Sequence, residues 1–265
     1  MNFLTNEELQ LSNEYTRFGH IIRPACNLSS INYLRDSMVN VACNILGIEK
    51  VEDPDHFLNT IHEKISVADL NSFRLKVIQG INSDEKFRFH YFQTAKEYLY
   101  SLVGNELSMQ LRVNLSIQFP NDNSSLLPVH SDTWSGDSPY ELVVWIPLVN
   151  CYGTKAMYLL LPDDSKKLIQ DFKKLAGKNS EELYQSISKE VKFLEVKFGE
   201  VLVFDQGYPH GNIVNREKET RWSMNCRFKS VFTPYGDKKI GEFFEPITLR
   251  TQSQIGMEYK FPSVK

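Results

Sequence analysis

The sequence predicts a mainly β protein: a helical N-terminal layer laid on an antiparallel β-barrel or sandwich core. Three observations predict it. Apolar residues recur at a helical period over roughly the first hundred positions. The period then switches to strict alternation. Further strand-like runs follow, separated by segments rich in Pro, Gly and Asn.

The helical layer spans 1–107. Thr5 and Glu8 form a capping-box pattern ahead of a polar, acidic helix. From Ser30, apolar residues fall at Ile31, Leu34, Met38, Val41, Ala42 and Ile45, and Gly47 is a natural stop. A further helix is predicted from Ser83 to Gly104. Phe92, Ala95, Tyr98, Leu99 and Leu102 lie on one face, an aromatic-rich stripe suited to packing on a sheet.

The core spans 108–235. Met109, Leu111, Val113, Leu115, Ile117 and Phe119 alternate with Gln110, Arg112, Asn114, Ser116 and Gln118, which predicts one strand with an apolar and a polar face. The runs ELVVWIPLV, KAMYLLLP, EVKFGEVLVF and RWSMNCRFKSVF continue the sheet. A polar, Lys/Glu-rich stretch at 163–190 reads as a helical insertion between two strands. The extension 236–265 carries no clear period. All of this fits a single domain over 1–265.

Composition narrows the function classes. The chain has 265 residues, 42% apolar and 24% charged, enough for a sizeable core. The formal net charge of −3 gives no support to a nucleic-acid surface. Cys26, Cys43, Cys151 and Cys226 form no C-x-x-C pair and read as reduced thiols of a cytoplasmic protein. No export signal is expected, and no run approaches the roughly eighteen apolar residues of a membrane span. The oligomeric state is not legible.

The sharpest motif is Pro128-Val-His130-Ser-Asp132-Thr133. In an extended chain, residues two apart point the same way, so His130 and Asp132 can reach one cation. An imidazole and a carboxylate are two legs of the facial triad of non-haem iron sites; a second histidine completes it and leaves the other positions open. Taken alone, an H-x-D is a weak motif, read first as a loop histidine beside a turn aspartate. The strand pattern Lys197–Phe204 runs into Asp205-Gln-Gly-Tyr-Pro-His210-Gly-Asn212, which places His210 just past a strand end. His20, His56, His62 and His90 lie in the helical part and read as structural or solvated.

Eleven residues past His210 stands Arg221-Trp-Ser223. Arg221 and Ser223 share a strand face, and a guanidinium fork beside a hydroxyl suits a carboxylate. Asn225 and Arg227 continue that face, with Arg227 the second choice as carboxylate ligand. The plain alternative is the cationic outer face of an edge strand.

The order H-x-D, a strand ending near a second His, then R-x-S resembles the Fe(II)/2-oxoglutarate-dependent oxygenases. His210-Gly-Asn212, Asn215 and Arg221 resemble their phytanoyl-CoA hydroxylase-like branch. The chain is similar, more narrowly, to oxygenases of bacterial carbohydrate or surface-polysaccharide biosynthesis clusters and to the streptomycin-biosynthesis group. The resemblance covers Ser108 to Phe232. The opening Leu4–Glu8 and Gly19–Pro24 are similar to the family's leading helix and strand.

The resemblance implies a double-stranded β-helix (jelly-roll, cupin-like) core. It implies Fe(II) held by His130, Asp132 and His210, with 2-oxoglutarate and O2 as cosubstrates. Arg221 would bind the distal carboxylate of 2-oxoglutarate with Ser223 assisting, and Gln118 and Trp145 would line the same pocket. Asp132 speaks against a halogenase, in which chloride takes the carboxylate's place. Leu160-Leu-Pro162 departs from the branch's Pro-Gly-Ser-His ending, and the insertion after it leaves the substrate entrance unread. The expected substrate is a small polar metabolite or a sugar derivative, with Arg112, Asn114, Trp134 and Tyr140 near the mouth. The competing readings are a cupin-like metal-binding isomerase or zinc-binding barrel, which has no need of a dicarboxylate anchor, and a non-enzymatic sugar-binding barrel.

Overall fold

The computed structural model describes residues 3–175, 177 and 179–263. Helix α1 (Asn6–Phe18) leads into strand β1 (His20–Pro24). Helices α2 (Leu28–Leu46), α3 (Pro54–Asn59), α4 (Val67–Asn82), α5 (Phe87–Gln93) and α6 (Lys96–Leu102) follow. Then come β2 (Leu107–Gln110), β3 (Asn114–Gln118), β4 (Leu142–Pro147) and β5 (Met157–Leu160). Helices α7 (Pro162–Gln170) and α8 (Ser180–Ile187) precede β6 (Val191–Leu194), β7 (Glu200–Asp205), β8 (His210–Gly211) and β9 (Arg221–Ser230). The chain closes with β10 (Phe244–Pro246) and α9 (Thr251–Glu258).

All strand pairs in the named ladders are antiparallel. The larger sheet runs β1-β7-β4-β9-β2-β10, with β3 also on β9; the smaller runs β6-β5-β8. Strand alternation divides the interior in two. On β9, Trp222, Met224, Cys226 and Phe228 join the core under the helices, together with Val144 and Ile146 of β4 and Val201 and Val203 of β7. Val143, Trp145, Leu202 and Phe204 turn the other way, into a second cluster with Met157 and Leu159 of the smaller sheet. The polar residues of β9 therefore face the gap between the sheets.

Local signals held where a side chain had one partner to satisfy. The Thr5–Glu8 capping box forms in both directions, and Gly47 ends α2 in the left-handed conformation with φ 67°. Two elements differ from expectation. The helix expected over 83–104 is two short helices. The Thr94 carbonyl accepts from Cys26 N–H at 2.8 Å, and Ala95 leaves helical geometry with φ −127°. The strand expected over 109–119 is two strands, β2 and β3. Leu111 N–H is drawn to the Phe243 carbonyl and Val113 N–H to Asn82 Oδ1, both at 2.8 Å, so the chain leaves the ladder and rejoins β9 further along.

The N-terminal layer is not wholly helical, because β1 pairs with β7 and puts His20 on a strand. The extension past 236 contributes β10 to the larger sheet, paired with β2. The stretch 163–190 sits between β5 and β6 and carries α7 and α8. The four cysteines are free thiols, and no helix among the described residues is long and apolar enough to cross a membrane.

Candidate active site

Backbone pairing brings the two histidines together. His130 N–H donates to the His210 carbonyl at 3.0 Å, and His210 N–H returns the bond at 2.8 Å. Residues directly opposite in an antiparallel pair project to one face. Their rings accordingly lie 4.3 Å apart between centroids. Asp132 opens a short 3-10 turn (Asp132–Ser135), and its N–H donates to the Gln206 carbonyl at 3.1 Å. Ser131 Oγ adds bonds to the Gln206 and Gly207 carbonyls. The H-x-D segment is thus fastened to the loop that carries His210.

His130, Asp132 and His210 each offer a donor atom, all within 4.8 Å of one another. Each imidazole is oriented by a carbonyl two residues upstream. His130 Nδ1 donates to Pro128 O at 2.8 Å and His210 Nδ1 to Tyr208 O at 2.9 Å. A carbonyl can only accept, so Nδ1 carries a proton in both rings and Nε2 is the nitrogen left for the donor set. Gly211 leaves room for this geometry: a Cβ there would meet Tyr158 Oη at 2.6 Å and the Leu127 carbonyl at 2.8 Å. Phe204 sets its ring edge-to-face against His210, 4.9 Å away.

Two charges shape the donor set. Arg227 Nη2 donates to Asp132 Oδ2 at 2.7 Å. Burial alone would push the Asp132 carboxyl up, but the hydrogen bond with His130 and the Arg227 charge outweigh it and hold the group well below the usual carboxylate range. Burial pulls His210 down to about 4, and the neighbouring His130 adds to the fall. The site therefore presents a carboxylate and, at His210, a neutral imidazole.

This has a consequence for acid stability. The folded value of His210 lies below its unfolded value of about 6.5, so the unfolded chain binds more protons as pH falls. Stability present above about pH 6.5 is lost progressively down to about pH 4, by up to about 3 kcal/mol in the metal-free protein. Asp132, whose value is depressed, contributes a loss only below its unfolded value of about 3.9. Urea midpoints of metal-free protein should fall between pH 7 and 4.5, and His210→Gln should flatten that fall. An unchanged slope in the variant contradicts the assignment.

The triad opens on a cavity of about 290 Å³ between the two sheets. Arg221, Ser223, Asn225 and Arg227, the inward face of β9, all line it, as do Trp145 and Met157. Arg221 is 3% exposed, and burial presses its guanidinium down to about 10. Nη2 donates to Ser116 Oγ at 2.8 Å, while Nε has no hydrogen-bond partner among the described residues. A buried cation with an orphaned donor is costly unless an anion completes it.

Other expected residues take different places. Gln118 lies directly opposite Arg221 but donates to the Ile213 carbonyl at 2.7 Å and does not line the cavity. Asn114 lines it, bonded to Asn225, whereas Arg112, Trp134 and Tyr140 do not. Trp134 instead packs on Phe172 of the insertion, 5.0 Å away. Asn215 shapes the turn before β9, donating to the Glu219 carbonyl at 2.8 Å. Arg227, second choice as carboxylate ligand, has its guanidinium on Asp132 and Gln206. The partnership with Gln206 had no sequence signal, because it joins β9 to the turn after β7, twenty-one residues away.

No protein-family model and no curated protein sequence matches this chain. Solved structures do: the fold is that of non-haem oxygenases. SnoK from nogalamycin biosynthesis, a non-haem α-ketoglutarate-dependent carbocyclase, aligns with TM-score 0.56 and 14% identity over 93% of this chain and 97% of its own. EctD of S. alaskensis with bound iron aligns at 0.53 and 16%, over 90% and 85%. HygX of Streptomyces hygroscopicus, with nickel and 2-oxoglutarate bound, aligns at 0.52 and 12%, over 88% and 89%. At such identities the likeness is one of fold, and the resemblance read from the motifs is met at that level.

Proposed function

We propose that this chain is a single-domain Fe(II)/2-oxoglutarate-dependent dioxygenase with a double-stranded β-helix core. One observation carries the reading. Three side chains whose donor atoms suit one cation converge in the same cavity as a buried arginine with an orphaned Nε. An isomerase or a sugar-binding barrel has use for the first feature and none for the second.

The residues fit the group. His130 and His210 would offer Nε2 and Asp132 one oxygen, a nitrogen and oxygen donor set with open positions. Arg221 would take the distal carboxylate of 2-oxoglutarate, with Ser223 and Ser116 beside it. Trp145, Met157 and Phe204 would shield the cosubstrate from water. Bound there, Fe(II), 2-oxoglutarate and O2 would supply oxidation of a substrate C–H bond with release of succinate and CO2. Asn114 and Asn225 offer amides to a small polar metabolite or sugar-derived substrate. SnoK, from nogalamycin biosynthesis, and HygX, with 2-oxoglutarate bound, support a small-molecule substrate.

Adding 2-oxoglutarate to the anaerobic Fe(II) protein should produce a weak, broad visible band from chelation of the metal by the keto acid. A colourless mixture at saturating cosubstrate overturns the proposal.

A further inference from the structure

We propose that Arg227 is a positioning residue: its guanidinium confines Asp132 to a single inward oxygen and so keeps neighbouring coordination positions clear for a chelating ligand. The inference rests on the reading of the triad as a metal centre.

The two oxygens of Asp132 have different neighbours. Oδ2 accepts from Arg227 Nη2 at 2.7 Å, while Oδ1 lies 3.4 Å from His130 Nε2 and turns toward the histidines. A carboxylate with both oxygens free can hold a cation through one or through both. The second grip would take up a position that a bidentate cosubstrate needs. Arg227 occupies the oxygen that would make it.

The guanidinium is itself fixed from behind. Nε donates to Gln206 Oε1 at 2.9 Å, and Gln206 Nε2 donates to Glu141 Oε2 at 2.9 Å and to the Ser138 carbonyl at 3.2 Å. Asp137 Oδ2 stands 3.5 Å from Nε, and Lys238 pairs with Asp137 from the far side. Gln206, Glu141 and Asp137 are all buried. One edge of the fork thus spans Asp132 and Gln206 at once, which a lysine point charge cannot do. That edge is also the one that would grip a carboxylate in two bonds. Arg227 is therefore engaged, whereas Arg221, six residues back on the same face, keeps a bare Nε.

The test uses the full chain freed of metal, loaded with Co(II) and titrated with oxalate. Oxalate chelates a metal through two oxygens but lacks the distal arm of 2-oxoglutarate. The visible ligand-field spectrum reports chelation, and the thermal midpoint of the metal-free protein reports folding. Arg227→Met should still bind Co(II), with its oxalate dissociation constant raised about tenfold or more. Arg227→Lys keeps the charge but cannot bridge, so it should stay weakened at least about threefold. It is also the variant to read if Arg227→Met does not fold. Arg221→Met should bind oxalate as wild type does. Wild-type oxalate affinity in Arg227→Lys overturns the proposal, because charge alone then accounts for the site. Failure of the wild type to bind Co(II), or equal binding by Asp132→Ala, overturns instead the metal centre on which the proposal rests.

Discussion

Asp132→Ala is expected to abolish oxygen-dependent succinate formation, by roughly 10³-fold or more, since changes behind a metal ligand alone cost about 10–100-fold. The residue is the one anionic donor in the triad, and its loss leaves two imidazoles to hold a dication. The substitution has a second effect. It strips Arg227 of its carboxylate in a largely buried setting, and breaking a buried pair costs about 3–5 kcal/mol. A dead Asp132→Ala protein is therefore ambiguous between a lost ligand and a damaged fold. Asp132→Asn separates the two. Its amide oxygen can still accept from Arg227, so the fold should hold, while the missing charge should remove metal and turnover together. Succinate formation, measured with metal content and thermal midpoint, checks both variants. Turnover retained by either one refutes the site.

Much of this site was legible because its signals are local. The alternation of β9 put Arg221, Ser223, Asn225 and Arg227 on one face, and all four line the cavity. The i, i+2 spacing of His130 and Asp132 likewise brought their donor atoms together. What sequence could not carry was pairing between distant segments. The His130–His210 bridge joins residues eighty apart, and no composition or period announces it. Gln118 shows the limit from the other side. It has the right parity on β3 and sits opposite Arg221, yet the Ile213 carbonyl takes its amide. Parity assigns a face; the third dimension assigns a partner.

The missed breaks have the same origin. Nothing in the alternation from Met109 to Phe119 marks an interruption. Leu111 and Val113 leave the ladder because Phe243 and Asn82, far off in sequence, compete for their amides. That break also frees Gln110, whose Oε1 accepts from Arg227 N–H at 3.3 Å and closes the gap on β9. An irregularity in the sheet thus lies behind the arginine that meets Asp132.

Arg221 makes the second large prediction, and opposing effects must be weighed to obtain it. In the cosubstrate-free protein the guanidinium is desolvated and incompletely bonded, so it destabilises its surroundings. Arg221→Leu should therefore leave the thermal midpoint of the cosubstrate-free protein unchanged or higher, since replacing buried charge by apolar volume is often neutral or favourable. Binding reverses the balance. Truncating one partner of a buried, hydrogen-bonded charge pair costs about 2–5 kcal/mol, or roughly 30- to 4000-fold in affinity. The 2-oxoglutarate concentration for half-maximal succinate formation should thus rise about 10²-fold or more, with Co(II) affinity and oxalate binding unchanged. A variant that loses cosubstrate but gains stability identifies Arg221 as a residue kept for its ligand. A sharp fall in midpoint with little change in cosubstrate requirement would make Arg221 a structural cation and leave the dicarboxylate without an anchor.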